Sequence, residues 1–332
     1  MRIVHFQRRP NPWDFSVERL FDDVRVALAG RLAIEVRLNS YPSKGILPRV
    51  HDLLAAPRYQ GDVNHVTGDV HYLTYLLPRD RTVLTVLDCV TLERLRGWRR
   101  KLFWFFWYWL PVHRVGYVTV ISDYTKRELL RFVSFPAERV SVIYPSVSEE
   151  FTFDDKALDM ARPRILQVGT TMNKNLPRVI EALRGLPCRL VIVGALSTAM
   201  IAALAQAGIE WENHVGLSRA QLVDQYRLAD LVLFVSTYEG FGLPIVEGNA
   251  VGRPVITSNI CSMPEVAGDA ACIVNPFDID SIRAAVERLR ADPAYCRQLI
   301  EAGRRNVERF RISKIAAQYA DLYRRIADAR SD

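Results

Sequence analysis

Residues 236–270 read STYEGFGLPIVEGNAVGRPVITSNICSMPEVAGDA, and the order of elements they encode decides the fold. The apolar run LVLFVST ends here as a strand ends. Glu239 follows, then a Gly240-Phe241-Gly242 turn, then Leu243 and Pro244 at the start of a helix that carries Glu247 in its first turn. Proline at the first helical position costs no hydrogen bond, and glycines let backbone N–H groups converge on a ligand. Because a helix N-terminus carries roughly half a positive charge, such a strand-turn-helix suits an anion such as a diphosphate without a metal. Glu239 can accept hydrogen bonds from a ligand's hydroxyls, and Glu247 can hold a ribose. Taken alone, the turn is only a tight connection and the glutamates a surface carboxylate and a helix-dipole partner. A nicotinamide-type GxGxxG is disfavoured, since Ile245 stands at the third glycine position.

The same alternation extends outward. RILQVGT, CRLVIVGAL, IEWENHVG, LVLFVST, PVITSN and ACIVNP read as strands with helical patterns between them, and continuous apolar strands predict a parallel sheet covered on both faces. Ser218 and Gln221 form a capping box that fixes one helix start. The first half alternates more faintly, with RIVHFQ, AIEVRLN, DVNHVT, TVLTVLD and YVTVIS as strands and helices over residues 16–28 and 125–133. Residues 145–164 lose periodicity and gather acids and prolines, as a linker does. The expected architecture is α/β with two doubly wound units, residues 1–150 and 151–312, and a ligand in the cleft between them at the strands' carboxyl ends.

The stretch around Glu239 and Glu247 resembles the signature of family 4 glycosyltransferases, whose E-x7-E motif these residues match and whose wording continues through GRPVITSNICSMPEVAGDAACIVNPFDIDSIRAAVERL. The resemblance implies the GT-B architecture, two Rossmann-like domains facing a central cleft. It also implies transfer of a sugar from a nucleotide diphosphate sugar, with retention of configuration and no metal or other cofactor. In VGTTMNKNLPRVIEAL, residues 168–183, Gly169 and Lys174 match the donor site. Lys174 would neutralise the leaving diphosphate, while Thr170 replaces the family's usual arginine. Backbone near Val215 would read the nucleotide base, and Gly240, Phe241, Gly242 and Leu243 would complete the donor site with Glu239 and Glu247. The catalytic set is thus Glu239 and Lys174, with His71 as substitute for a family histidine whose place Leu87 fills. Acceptor-side candidates are His65, Thr67, His71 and Asp88. Residues 313–332 form an amphipathic helix, apolar at Ile315, Ala316, Tyr319, Leu322, Tyr323 and Ile326. The resemblance sends it back to the first domain.

Composition bounds the rest. At 332 residues, 49% hydrophobic and 24% charged, the chain is globular rather than disordered. Five scattered cysteines, none in a CxxC pair, argue against a disulfide framework and a zinc site. Arginines and prolines in MRIVHFQRRPNPWDF interrupt any signal peptide, so the expected location is cytoplasmic. Of the net charge of +7, most sits in residues 1–150, with 22 Lys and Arg against 16 Asp and Glu, compared with 22 against 21 afterwards. Five of those cations, Arg94, Arg96, Arg99, Arg100 and Lys101, precede seven consecutive aromatics, residues 103–109. An apolar helix is ordinarily core. With adjoining cations the reading favours peripheral contact with the inner face of a membrane, through those cations, Trp104 and Trp107. The expected partners are a nucleotide-sugar donor, either GDP-mannose or a UDP-sugar, and a glycan, lipid-linked or lipid acceptor. Nucleic acid is disfavoured because the aromatics are contiguous rather than interleaved with cations. A nucleotide-sugar epimerase of the same fold and a basic nucleic-acid-binding protein are the alternatives.

Overall fold

The structure, a computed structural model, describes residues 1–9, 16–41 and 45–329, so part of the N-terminal segment read above and the last three residues of the C-terminal helix call lie outside the described residues. The chain divides into two compact units, one of residues 1–146 with 312–332 and one of residues 147–311.

The first unit is built on a parallel sheet of β1 (Arg2–Gln7), β2 (Ala33–Leu38), β3 (Val63–Thr67), β4 (Thr82–Val86), β5 (Tyr117–Val120) and β6 (Val140–Val142). Their order is β2-β1-β3-β4-β5-β6. β6 has only three residues, too few for a sequence pattern to reveal it. Helix Ile312–Asp328 belongs to this unit. It buries Ile315, Tyr319, Leu322, Tyr323 and Ile326 in the same apolar cluster as Ile3, Phe21, Val63 and Val83.

That helix also completes a buried polar chain. Arg25 Nη1 lies 3.3 Å from His5 Nδ1, His5 Nε2 lies 2.9 Å from Tyr323 Oη, and Tyr323 Oη lies 2.7 Å from His65 Nδ1. His65 Nε2 then meets Thr85 Oγ1 at 2.7 Å, which meets Thr119 Oγ1 at 2.7 Å. Since arginine can only donate, the proton order runs one way, with each imidazole neutral and each group donating to the next. Burial enforces that neutrality: it lowers the His5 pKa well below normal and brings His65 down to about 3.

The second unit holds β7 (Arg164–Val168), β8 (Arg189–Val193), β9 (Glu210–His214), β10 (Leu231–Phe234), β11 (Val255–Ser258) and β12 (Cys272–Val274) in the order β12-β11-β10-β7-β8-β9, again all parallel. The predicted capping box is present at Ser218 and Gln221. Residues 147–163, read as part of a linker, are instead pinned to this unit. Arg253, 1% exposed, donates to the Asp154 carboxylate at 2.7 Å and to the Asp154 carbonyl at 2.8 Å, and Lys156 pairs with Asp230 at 2.6 Å. Strand order reverses between β7 and β10, the position where a doubly wound sheet opens a ligand crevice at its carboxyl end.

Candidate functional site

The loops leaving β7 and β10 meet at that reversal. Asn175, in the left-handed region at φ 62°, ends the first loop and anchors it by donating from Nδ2 to the carbonyls of Val235 at 3.0 Å and Pro276 at 2.7 Å. Lys174, one residue earlier, folds back over Gly169. Any Cβ at Gly169 would lie 2.9 to 3.2 Å from the lysine stem, so only glycine leaves room for it. Lys174 Nζ reaches Glu239 Oε1 at 2.6 Å and sits 4.6 Å from the centre of the Phe234 ring. The sequence therefore predicted two residues that the fold does bring together.

Two residues that the sequence reading passed over hold the glutamate loop. Asn173 accepts from Thr237 N–H at 2.8 Å and donates from Nδ2 to the Tyr238 carbonyl at 3.1 Å and to Glu239 Oε1 at 3.2 Å. From the other side Ser262, fully buried, places its hydroxyl 3.0 Å from the Glu239 carbonyl and 2.7 Å from the Phe241 carbonyl. Both anchors are small polar residues whose partners lie 21 to 66 positions away, so only the strand order reveals them.

Gly242, at φ 110°, turns the chain into helix Leu243–Val251, with Pro244 in its first turn. A side chain at Gly248 would meet Val255 at 2.9 Å and Val232 at 3.0 Å, so this glycine lets the helix lie close on β10 and β11. Glu247 on that helix accepts from Tyr226 Oη at 2.5 Å. Burial, and then the adjacent carboxylate, raise the Tyr226 pKa well above normal, so it stays a protonated donor. The N-terminal end of a nine-residue helix, a lysine and two oriented carboxylates thus share the carboxyl edge of one sheet. That set can hold an anion beside a polyhydroxyl group.

Other expected donor positions differ in kind. The Phe241 side chain is buried edge-on against Phe310, 5.4 Å between ring centres, and its carbonyl accepts from Ser262. Thr170 Oγ1 donates to the Ala195 carbonyl at 2.6 Å, so where an arginine was expected stands a neutral clasp between the loops after β7 and β8. Leu243 is half-buried at the helix start, Gly240 lies in the Glu239 loop, and Val215 is exposed just past β9, two strands from the reversal.

In the first unit the acceptor-side expectations are largely corrected. His65 spends both ring nitrogens inside the core chain described above, and Thr67, fully buried, donates to the Phe6 carbonyl at 3.3 Å. β3 is covered on both faces, so its polar residues face neighbours rather than a ligand. His71 is 3% exposed, stacked on Trp107, and donates from Nδ1 to the Trp107 carbonyl at 2.7 Å. Burial lowers its pKa, so Nε2 is the unprotonated nitrogen. Asp88 is half-buried and caps Val90 N–H at 2.9 Å.

The aromatic run lies in a helical stretch, residues 97–113, with a wider π-type turn over Phe105–Trp109. Trp104 and Trp107, expected at a membrane, pack half-buried against the core. Trp104 Nε1 donates to the Phe132 carbonyl at 2.7 Å, and Trp107 stacks on Phe103. The exposed apolar residues are Trp98, Leu102, Phe105 and Phe106. Arg94, Arg96, Arg99 and Lys101 are exposed beside them with no ion-pair partner among the described residues, while Arg100 stands over the Phe132 ring. No helix among the described residues is long and apolar enough to cross a membrane.

Known proteins resemble this chain in sequence and in fold. Residues 148–306 match the family model described as "Glycosyl transferases group 1". The chain is 25% identical over 228 residues to "O-antigen chain mannosyltransferase B" of Escherichia coli, covering 62% of this chain and 60% of that protein. It is 38% identical over 126 residues to "MMP alpha-(1->4)-mannosyltransferase" of Mycolicibacterium hassiacum, covering 36% of this chain and 31% of that protein. It therefore spans less than two thirds of the length of these curated relatives. In three dimensions it superposes on sucrose-phosphate synthase from Thermosynechococcus elongatus with a TM-score of 0.80, 17% identity and 99% coverage of both chains. Two six-stranded parallel sheets with flanking helices define the GT-B class. Within that class, residues 148–306 are similar to the glycosyl transferases of group 1.

Proposed function

We propose that the protein transfers a sugar, mannose being the first candidate, from a nucleotide diphosphate sugar to a hydroxyl of a glycan or lipid-linked acceptor, with retention and without a metal. The observation that carries this reading is the Lys174–Glu239 pair at the strand reversal of the second sheet, beside the N-terminus of helix Leu243–Val251. Cleavage of the donor's C1–O bond passes through an oxocarbenium-like state, and the charge to be stabilised is that on the departing diphosphate. An ammonium has three protons to give. One is spent on Glu239 Oε1, and the others can reach phosphate oxygens that the helix N-terminus also attracts. Glu239 has Oε1 committed to Lys174 and Asn173, so Oε2 is the oxygen that receives sugar hydroxyls. Glu247, steadied by Tyr226, takes the ribose.

The choice of mannose draws on the names of the two relatives above, and a GDP-linked donor goes with it; UDP-sugars are the other candidates. The acceptor reading draws on the same names. Contact with the inner face of a membrane fits the cations Arg94, Arg96, Arg99 and Lys101, which have no ion-pair partner among the described residues, next to exposed Trp98, Leu102, Phe105 and Phe106. Incubating the protein with GDP-mannose or UDP-glucose and a lipid extract tests the reading. Donor consumption that requires the extract supports a transferase, whereas equal turnover without any acceptor contradicts it.

A further inference from the structure

Each sheet ends in two edge strands, and an edge presents a row of backbone N–H and C=O groups on which another chain can pair. Two of these edges are short: β6 and β12 have three residues each. A third, β9, reads EWENH. Laid antiparallel on a second copy of itself about its central residue, it would set Glu212 against Glu212, and like charges directly opposite repel. The fourth edge is β2, which among the described residues pairs with β1 alone.

The β2 sequence Ile34-Glu35-Val36-Arg37-Leu38 is self-complementary about Val36. Two-fold antiparallel pairing sets Val36 opposite Val36, each Glu35 opposite the Arg37 of the other copy, and each Ile34 opposite Leu38. Because side chains alternate across a strand, both charge pairs fall on one face of the joined sheet and the apolar pairs on the other. The observed contacts follow that alternation. Ile34 packs into the cluster of Ile3 and Val24, while Arg37 lies 4.3 Å from the centre of the Tyr59 ring. Glu35 and Arg37 form an ion pair within the chain and keep 35% and 40% of their side-chain surface exposed, so a second copy can reach both. Leu38 is 50% exposed.

Five paired residues fall short of the roughly 800 Å² per partner that a stable interface covers, so more surface must take part. Helix Ile46–Ala55 follows β2 and stays beside its end, where Asp52 Oδ1 accepts from Ser40 N–H at 3.0 Å. Ile46, Val50 and Leu54 recur every four residues and therefore share one side of this helix. All three are exposed, as is Leu47.

We propose that β2 is a homodimer interface, two copies of the chain pairing antiparallel about Val36 into one continuous sheet, with the exposed side of helix Ile46–Ala55 covered in the same contact. Analytical ultracentrifugation of the full chain over a range of concentrations tests it. The parent should dimerise reversibly. Glu35→Arg and Arg37→Glu each set like charges opposite one another, so each variant alone should dimerise at least tenfold more weakly. An equimolar mixture of the two should dimerise again, since each reversed charge then faces its opposite, and misfolded variants could not show that recovery. A parent that stays monomeric, a Glu35→Arg variant that dimerises like the parent, or a mixture of folded variants that stays monomeric overturns the proposal. With a monomeric parent, weaker binding of Leu47→Glu/Val50→Glu to phosphatidylglycerol vesicles would assign the helix to a lipid surface instead. If either charge variant fails to fold by circular dichroism, amide exchange over residues 34–38 of the parent decides: protection that rises with protein concentration supports the dimer, and protection independent of concentration contradicts it.

Discussion

Lys174 Nζ and Glu239 Oε1 lie 2.6 Å apart, joining the loops that follow the two strands where the second sheet reverses order. Their side chains keep 20% and 15% of their surface exposed, so the pair is shielded and yet reachable by a ligand. Glu239→Gln removes the charge that orients Lys174 and one hydroxyl acceptor. It should lower sugar transfer by about 10² to 10³-fold, the range for removing one preorganised transition-state partner. Lys174→Ala should weaken nucleoside diphosphate binding at least tenfold and leave nucleoside monophosphate binding nearly unchanged. Turnover and calorimetry on the two variants check both, with circular dichroism confirming the fold.

Asn173 should prove a positioning residue. Asn173→Asp places a second carboxylate beside Glu239 and removes the donor to the Tyr238 carbonyl, so turnover should fall at least tenfold with the donor KM changed less. Asn173→Ala should be milder because Lys174 still holds Glu239. A donor KM that rises as much as kcat falls would assign Asn173 to ground-state binding instead.

For the proposed membrane contact, the exposed apolar side chains are Trp98, Leu102, Phe105 and Phe106, whereas Trp104 and Trp107 pack against the core. Each cation near an anionic leaflet is worth about 1 kcal/mol, and that part is screened by salt. Co-sedimentation with phosphatidylglycerol vesicles should therefore weaken when Arg94, Arg96, Arg99 and Lys101 are neutralised. It should weaken further in Phe105→Ser/Phe106→Ser, which should stay folded. Trp107→Ser, by contrast, should lower thermal stability, since this ring stacks on Phe103 and His71.

How much of this was legible in the sequence depended on whether the signal was local. Apart from the half-buried edge strand β9, EWENH, the strands of the second sheet were readable because burial on both faces demands continuous apolar runs, and the Ser218 cap because both partners lie within one turn. Lys174 and Glu239 were readable through a motif. Asn173 and Ser262 were not, because an asparagine or serine in a loop carries no mark of a partner on another strand. His65 was misplaced for a related reason: its partners, Thr85 and Tyr323, lie 20 and 258 residues away. The aromatic run misled because contiguous residues on a helix point around its whole circumference, so some face the core and others do not.

The His5–Tyr323–His65 chain makes the first unit sensitive to acid. His5 and His65 are neutral when folded, with pKa values held below the ordinary 6.5, His65 at about 3. Above pH 6.5 the folded and unfolded chains carry the same neutral imidazoles, and the network contributes fully. Below that, the unfolded chain binds protons that the folded one refuses, so stability should fall steadily as pH drops toward about 3. Urea unfolding at pH 7 and pH 4.5 checks this. His65→Gln should reduce the slope between those pH values, even though the variant is less stable at pH 7.

Because Tyr319 and Tyr323 anchor helix Ile312–Asp328 to this same core, removing residues 312–332 should destabilise the first unit. Amide hydrogen exchange along β1, β3 and β4 reads that directly. Faster exchange is expected there, and unchanged protection would mean that the helix adds little to the unit that it completes.

Calorimetric titration of the protein with GDP and with UDP, in the presence of EDTA, tests the donor site most directly. The account predicts that one of the two binds without a divalent ion, and that the same titration on Lys174→Ala shows at least tenfold weaker affinity. If neither nucleotide binds, or binding appears only when a divalent ion is restored, the proposed donor site at Lys174, Glu239 and the N-terminus of helix Leu243–Val251 is wrong.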